Sequence, residues 1–117
     1  WNYSLAWKPH DIPKVNLGFI NAIHNAQKNI QNNLSLDVPA LVLHSSKSIY
    51  EKKWPECFMV GDAILNVKHI QYYTNKIKGN VMSCTIENGM HDLVLSKKPV
   101  RETVYKKIFE WTNNNFI

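Results

Sequence analysis

The chain has 117 residues, of which 44% are hydrophobic and 20% are charged. This length allows one domain with its own core, and the hydrophobic content excludes a disordered tail. The net charge of +5 comes from lysines spread along the chain, without the clustered arginines typical of a nucleic-acid interface, so we expect no nucleic-acid binding. The sequence has no run of about 18 apolar residues, so we also expect no membrane span.

The first predicted elements are an apolar segment at residues 1–15, rich in aromatic residues and prolines, and a helix at residues 16–33. The segment shows no periodicity. In the helix, apolar residues recur at steps of three and four, which defines one helical face. They are Phe19, Ile23, Ala26 and Ile30. Asn16 is a suitable N-cap for this helix.

The next elements are a strand at residues 38–44, a helix at residues 66–77 and a second strand at residues 81–86. The first strand is an apolar run without alternation, which is typical of a parallel strand buried on both faces. Valine, isoleucine and tyrosine recur at helical spacing in the intervening helix. The second strand follows the turn signal Gly79-Asn80.

The last predicted element is a helix at residues 99–113, with Pro99 near its start. The alternation of helices and strands predicts an α/β fold. Two parallel strands do not form a stable sheet alone, so neighbouring strands are expected. The chain also begins with Trp1 and lacks a signal-like start. We therefore expect a processed chain or the C-terminal part of a larger protein.

An acid and a histidine follow the two predicted strands. Asp62 lies in the connection after the first strand, and His91 lies in the loop after the second. In open α/β sheets, ligands bind beyond the carboxyl ends of the strands. An acid followed by a histidine is the chain order of the last two members of a Ser-Asp-His triad. There the histidine accepts the proton of the nucleophile, and the carboxylate holds the ring in the required tautomer.

Three segments resemble the C-terminal half of an α/β-hydrolase. They are VPALVLHSSKS at residues 38–48, GDAILNVKHI at residues 61–70 and GMHDLVLSKKPVRE at residues 89–102. The branch that they resemble is the serine aminopeptidase and lysophospholipase group, related to monoacylglycerol lipases. The resemblance implies a three-layer α/β sandwich. It also implies one partial domain over residues 1–117, with a lid or junction segment and its helix at 1–34 and the C-terminal α/β core at 35–117.

The resemblance further implies the roles of three residues. His91 is expected to be the catalytic base, Asp62 its orienting acid, and Asp92 a neighbour whose side chain supports the loop. The nucleophile of the family lies upstream in a Gly-x-Ser-x-Gly turn, and no serine of this chain stands in that pattern. The expected full-length protein is a serine hydrolase for carboxylic esters or lipids, esterase-like or lysophospholipase-like, without a cofactor. The chain alone is expected to be inactive.

Several alternatives remain for individual residues. Asp62 precedes a helical stripe, so it could cap that helix instead, and His91 could be a structural loop residue. We expect the remaining candidates to be neither nucleophiles nor metal ligands, since they lack a strand-to-helix elbow or metal-ligand spacing. These are Ser45, Ser46, Ser48, Cys57, Cys84, His10, His24, His44 and His69. Asp92 and Glu87 are rival acids.

The alternative for the whole chain is a hydrolase-like fragment without catalytic activity. Its strand at 38–44 would offer an open edge, so it would self-assemble or bind a partner. The expected partners are the missing N-terminal half or a second copy of the chain, besides a small acyl ester or lipid substrate. Two cysteines cannot form a disulfide framework, which favours a cytoplasmic location.

Overall fold

The computed structural model of the chain describes residues 6, 11, 14–32, 34–51, 53 and 56–117. Most of the apolar segment predicted at residues 1–15, His10 included, lies outside the described residues. The elements are helix α1 at Leu17–Gln31, strand β1 at Ala40–Ser45, helix α2 at Val67–Thr74, strand β2 at Val81–Ile86 and helix α3 at Lys98–Phe116. Short 3-10 helices occur at Glu56–Val60 and Leu93–Leu95. The predicted mixed α/β class is confirmed.

Two asparagines cap the first two helices. The Asn16 side chain accepts a hydrogen bond from the Phe19 N–H at 2.8 Å, as predicted. At the start of α2, the Asn66 side chain accepts from the Lys68 N–H at 3.0 Å and from the His69 N–H at 3.3 Å. Helix α2 is therefore capped by Asn66, and the alternative in which Asp62 caps it is wrong.

The two strands are parallel, as predicted, and pair in register from Ala40 opposite Val81 to Ser45 opposite Ile86. Helix α3 packs on one face of this sheet. The core there consists of buried Ile86, Leu93 and Val104. Partly buried apolar residues surround them: Leu43, Cys84, Val94, Val100 and Ile108. This packing fixes the carboxyl end of β2 and the loop that follows it against α3.

Strand β1 is less buried than its apolar sequence predicts. Only His44 and Ser45 at its carboxyl end are buried, and the four residues before them are half-buried. Helix α1 likewise contains no buried residue, although its apolar stripe is present. Within the described residues the sheet has two strands, so one edge of β1 has no strand partner. The sequence pattern encodes an apolar face, whereas burial also requires an element that covers it.

Helix α2 ends three residues earlier than predicted. The Lys76 N–H donates to the Tyr73 carbonyl, and the Ile77 N–H donates to the Thr74 carbonyl, which gives the tight i to i−3 bonds of a helix terminus. None of the helices in the described ranges has the length and apolar character required to cross a membrane.

Candidate active site

Asp62 lies beside the carboxyl end of β1, although a long connection separates the two in sequence. The chain leaves β1, makes an excursion and returns to form a parallel bridge between Ser48 and Asp62. The Asp62 N–H donates to the Lys47 carbonyl at 2.9 Å, and the Ile49 N–H donates to the Asp62 carbonyl at 2.8 Å. The backbone of the acid is therefore fixed to the residues that directly follow the strand.

The Asp62 carboxylate is buried and has three hydrogen-bond partners. Oδ1 accepts from the Ile64 N–H at 2.8 Å and from the Leu65 N–H at 2.7 Å. Oδ2 lies 3.0 Å from Nδ1 of His91. Asp62 is only 3% exposed. The two backbone donors hold one oxygen, so the other oxygen is directed at the histidine ring.

His91 lies in the loop after β2, at the neighbouring strand end. The turn into this loop places Asn88 at a φ of 57°. The His91 side chain is 43% exposed, so the ring is open to solvent on the side away from Asp62. Because Nδ1 faces a carboxylate, we assign the ring proton to Nδ1. Nε2 then carries the lone pair and is able to accept a proton.

Burial and hydrogen bonding act in opposite directions on the pKa of Asp62. Burial raises the pKa, because it removes water from the charged form. The backbone donor of Leu65, the His91 ring and the backbone donor of Ile64 lower it, and the net pKa lies below the ordinary value of 3.8. The site therefore holds an ionised carboxylate against the imidazole.

This lowered pKa predicts how stability depends on pH. An acid that is more acidic in the folded than in the unfolded state stabilises the fold above its ordinary pKa of 3.8, and this contribution is lost as the pH falls through the folded pKa. We expect the free energy of unfolding of the unmutated protein to exceed that of Asp62→Asn near neutral pH. The difference should shrink as the pH falls below about 5 towards the lowered pKa of Asp62. Urea unfolding at several pH values measures it, and a constant difference would contradict the prediction.

A shallow cleft of about 380 Å³, widely open to solvent, lies beside His91. Its other walls are mostly apolar and come from β1, the loop after β2 and α3. They include Leu43, Leu93, Val94, Val104 and Ile108. An apolar group could therefore approach the histidine without displacing a charged side chain other than Asp92, which lies at the rim of the same cleft.

The backbone of Asp92 supports the loop, and the supporting role expected of its side chain stays a prediction. The side chain is exposed and does not cap the following 3-10 helix, whereas the Asp92 carbonyl accepts from the Leu95 N–H at 3.0 Å. The side chains that hold the loop are two buried serines. Ser45 Oγ donates to the Gly89 carbonyl at 2.7 Å, and Ser96 Oγ accepts from the Met90 N–H at 2.9 Å.

The sequence reasoning missed these serine contacts. One signal could have indicated the first: a small hydroxyl residue at the carboxyl end of a strand is well placed to bond the neighbouring loop. The hydroxyl of Ser48, three residues after β1, is also occupied by backbone groups. Its Oγ donates to the Leu65 carbonyl at 2.8 Å and accepts from the Val67 N–H at 2.9 Å.

Within the described residues, no hydrogen bond joins the other candidate residues to Asp62 or His91. His44 is buried, with Nδ1 donating to the Ser45 carbonyl at 2.7 Å and Nε2 lying 3.3 Å from Ser83 Oγ. Cys57 and Cys84 are free and half-buried. In the part of the chain that the structure describes, no three histidine, cysteine or acidic residues are grouped as metal ligands would be.

Comparisons with protein-family models, with curated proteins and with solved structures found no match to this chain.

Proposed function

We propose that this chain supplies the base and the orienting acid of a Ser-Asp-His triad, in a serine hydrolase that acts on carboxylic esters or lipids. The observation that carries the proposal is the 3.0 Å contact between Asp62 Oδ2 and His91 Nδ1. The two residues follow adjacent parallel strands, in the order acid then histidine. This is the order and contact that the triad of an α/β-hydrolase requires.

In the proposed reaction, His91 acts through Nε2. A serine hydroxyl attacks the acyl carbonyl while Nε2 takes the hydroxyl proton, and Nε2 then gives this proton to the departing alcohol. Nε2 then takes a proton from a water molecule, which attacks the acyl-enzyme carbonyl. As the acyl–serine bond breaks, Nε2 returns this proton to the serine oxygen and the carboxylic acid is released. Asp62 stays ionised throughout and stabilises the imidazolium, a role favoured by its lowered pKa.

We propose that the nucleophilic serine and the oxyanion hole lie in a segment outside this chain. Support comes from the sequence, since no serine here stands in a Gly-x-Ser-x-Gly turn, and from the engaged hydroxyls of Ser45 and Ser48. We further propose that residues 35–117 belong to the three-layer sandwich of an α/β-hydrolase. The free edge of β1 and the packing of α3 on one sheet face are compatible with additional strands and helices. Residues 1–34 would form its lid or junction segment.

A carboxylic ester or lipid is the proposed substrate, because the partly buried residues of the cleft beside His91 are apolar, namely Leu43, Val94 and Ile108. An apolar acyl or alcohol group would lose water in such a cleft, which favours its binding. The proposed enzyme thus combines an apolar binding surface with a base that is open on its Nε2 side.

Labelling with a fluorophosphonate probe tests this function. The samples are the full-length gene product, its His91→Ala variant, its His69→Ala variant and the 117-residue chain alone. His69 is an exposed histidine of α2 and serves as the matched control. We expect label only on the unmutated full-length protein and on His69→Ala. An unlabelled full-length protein would contradict the proposal and favour a hydrolase-like chain that binds a partner through its exposed apolar surfaces, such as those of Leu17 and Phe19.

A further inference from the structure

We propose that Ser45 and Ser48 are positioning residues that together set the contact between Asp62 and His91. Both serines lie in one short segment at the carboxyl end of β1. One hydroxyl holds the histidine loop and the other holds the acid loop. The catalytic consequence depends on the proposed function, whereas the geometric consequence can be tested without it.

Ser45 connects β1 to the histidine loop. Its Oγ donates to the Gly89 carbonyl at 2.7 Å, and the Lys47 carbonyl is a second, more distant acceptor at 3.2 Å. The residue is 1% exposed, so water does not compete for the bond to Gly89. Gly89 stands two residues before His91 and has little room to move. A Cβ at this position would lie 2.5 Å from a methyl carbon of Leu93 and 3.3 Å from the Ile86 carbonyl oxygen. The Ser45 bond therefore fixes the position of Gly89 relative to the end of β1, and with it the start of the loop that carries His91.

Ser48 connects the same strand end to the acid loop. Its Oγ donates to the Leu65 carbonyl at 2.8 Å and accepts from the Val67 N–H at 2.9 Å. Leu65 is also the residue whose N–H donates to Asp62 Oδ1 at 2.7 Å. Leu65 is thus bonded to Ser48 through its carbonyl and to the Asp62 carboxylate through its N–H. These two bonds couple the position of the acid to the end of β1.

The acid loop and the histidine loop come from different parts of the chain, so their relative position must be set by a segment that bonds both. A contact of 3.0 Å survives only if neither loop shifts by more than a few tenths of an ångström. The segment from Ser45 to Ser48 has this role, since a side-chain hydroxyl of the segment bonds each loop. This role also accounts for two of the hydroxyl residues that the sequence singled out after β1.

The test uses Ser45→Ala and Ser48→Ala in the full-length protein, with Ser83→Ala as the matched control. Ser83 lies on β2, and its hydroxyl faces His44, not the two loops. In protein labelled with 15N-histidine, we expect the Nδ1–H signal of His91 to weaken or vanish in both variants and to persist in Ser83→Ala. With a nitrophenyl ester as substrate, we expect kcat to fall about 10²-fold with little change in KM. Ser48→Thr, which keeps the hydroxyl, should restore both properties.

An Nδ1–H signal that persists in folded Ser45→Ala and Ser48→Ala would overturn the positioning role, as would an unchanged kcat. If Ser45→Ala fails to fold, Ser48→Ala still tests the positioning role, because Ser48 is only half-buried and its replacement should leave the fold intact. An unmutated protein without esterase activity, but with an Nδ1–H signal that both variants lose, would contradict the proposed function and support the positioning role.

Discussion

His91→Ala is expected to lower kcat for ester hydrolysis by about 10⁶-fold in the full-length protein, the size of effect that follows when the base of a serine protease triad is removed. Without Nε2, the serine proton has no acceptor and the leaving alcohol has no donor. The fold should remain, because the ring is 43% exposed and Asp62 keeps its two backbone donors. Steady-state kinetics with a nitrophenyl ester and urea unfolding measure the two effects separately.

His69→Ala is the matched control for this variant. His69 is an exposed histidine on α2, and its ring packs edge-on against Tyr73. Its kcat should equal that of the unmutated protein. Partial recovery of His91→Ala by added imidazole would show that the missing group is a base. A His91→Ala variant that retains full kcat would exclude His91 as the base and with it the triad.

Local sequence patterns predicted the elements of this fold well. The period of apolar residues at Phe19, Ile23 and Ile30 predicted α1, and the prediction for β2 has the bounds seen in the structure. These features depend on residues that are close in sequence, so their signal is complete within each segment. Burial of α1 and β1 could not be predicted in the same way, since it depends on what covers them.

The candidate site was predicted only in part. Chain order and the resemblance indicated Asp62 and His91, whereas the capping alternative for Asp62 stayed open because an acid shortly before a helical stripe is also a capping residue type. Asn66 directly precedes the helix and caps it, which leaves the Asp62 carboxylate to bond the turn and the histidine. The serine bonds to the two loops join residues far apart in sequence, and no periodicity reports them.

Asp62→Asn is expected to lower kcat by about 10⁴-fold without unfolding the protein, as the same change does in a serine protease triad. The amide oxygen can still accept from the Ile64 and Leu65 N–H groups, so the amide NH₂ then faces His91. Nδ1 must become the acceptor, which moves the ring proton to Nε2. A protonated Nε2 cannot take the serine proton. Histidine 15N spectra report this change of tautomer, and nitrophenyl ester kinetics report its consequence.

Asp92→Asn is the matched control, since Asp92 is an exposed acid next to the same histidine. Its kcat and the tautomer of His91 should not change. If Asp92→Asn abolished activity while Asp62→Asn did not, Asp92 would be the acid and the buried contact of Asp62 would be structural. If Asp62→Asn left the proton on Nδ1, the 3.0 Å contact would not determine the tautomer. Either result would show that the contact between Asp62 and His91 does not have the catalytic role proposed for it.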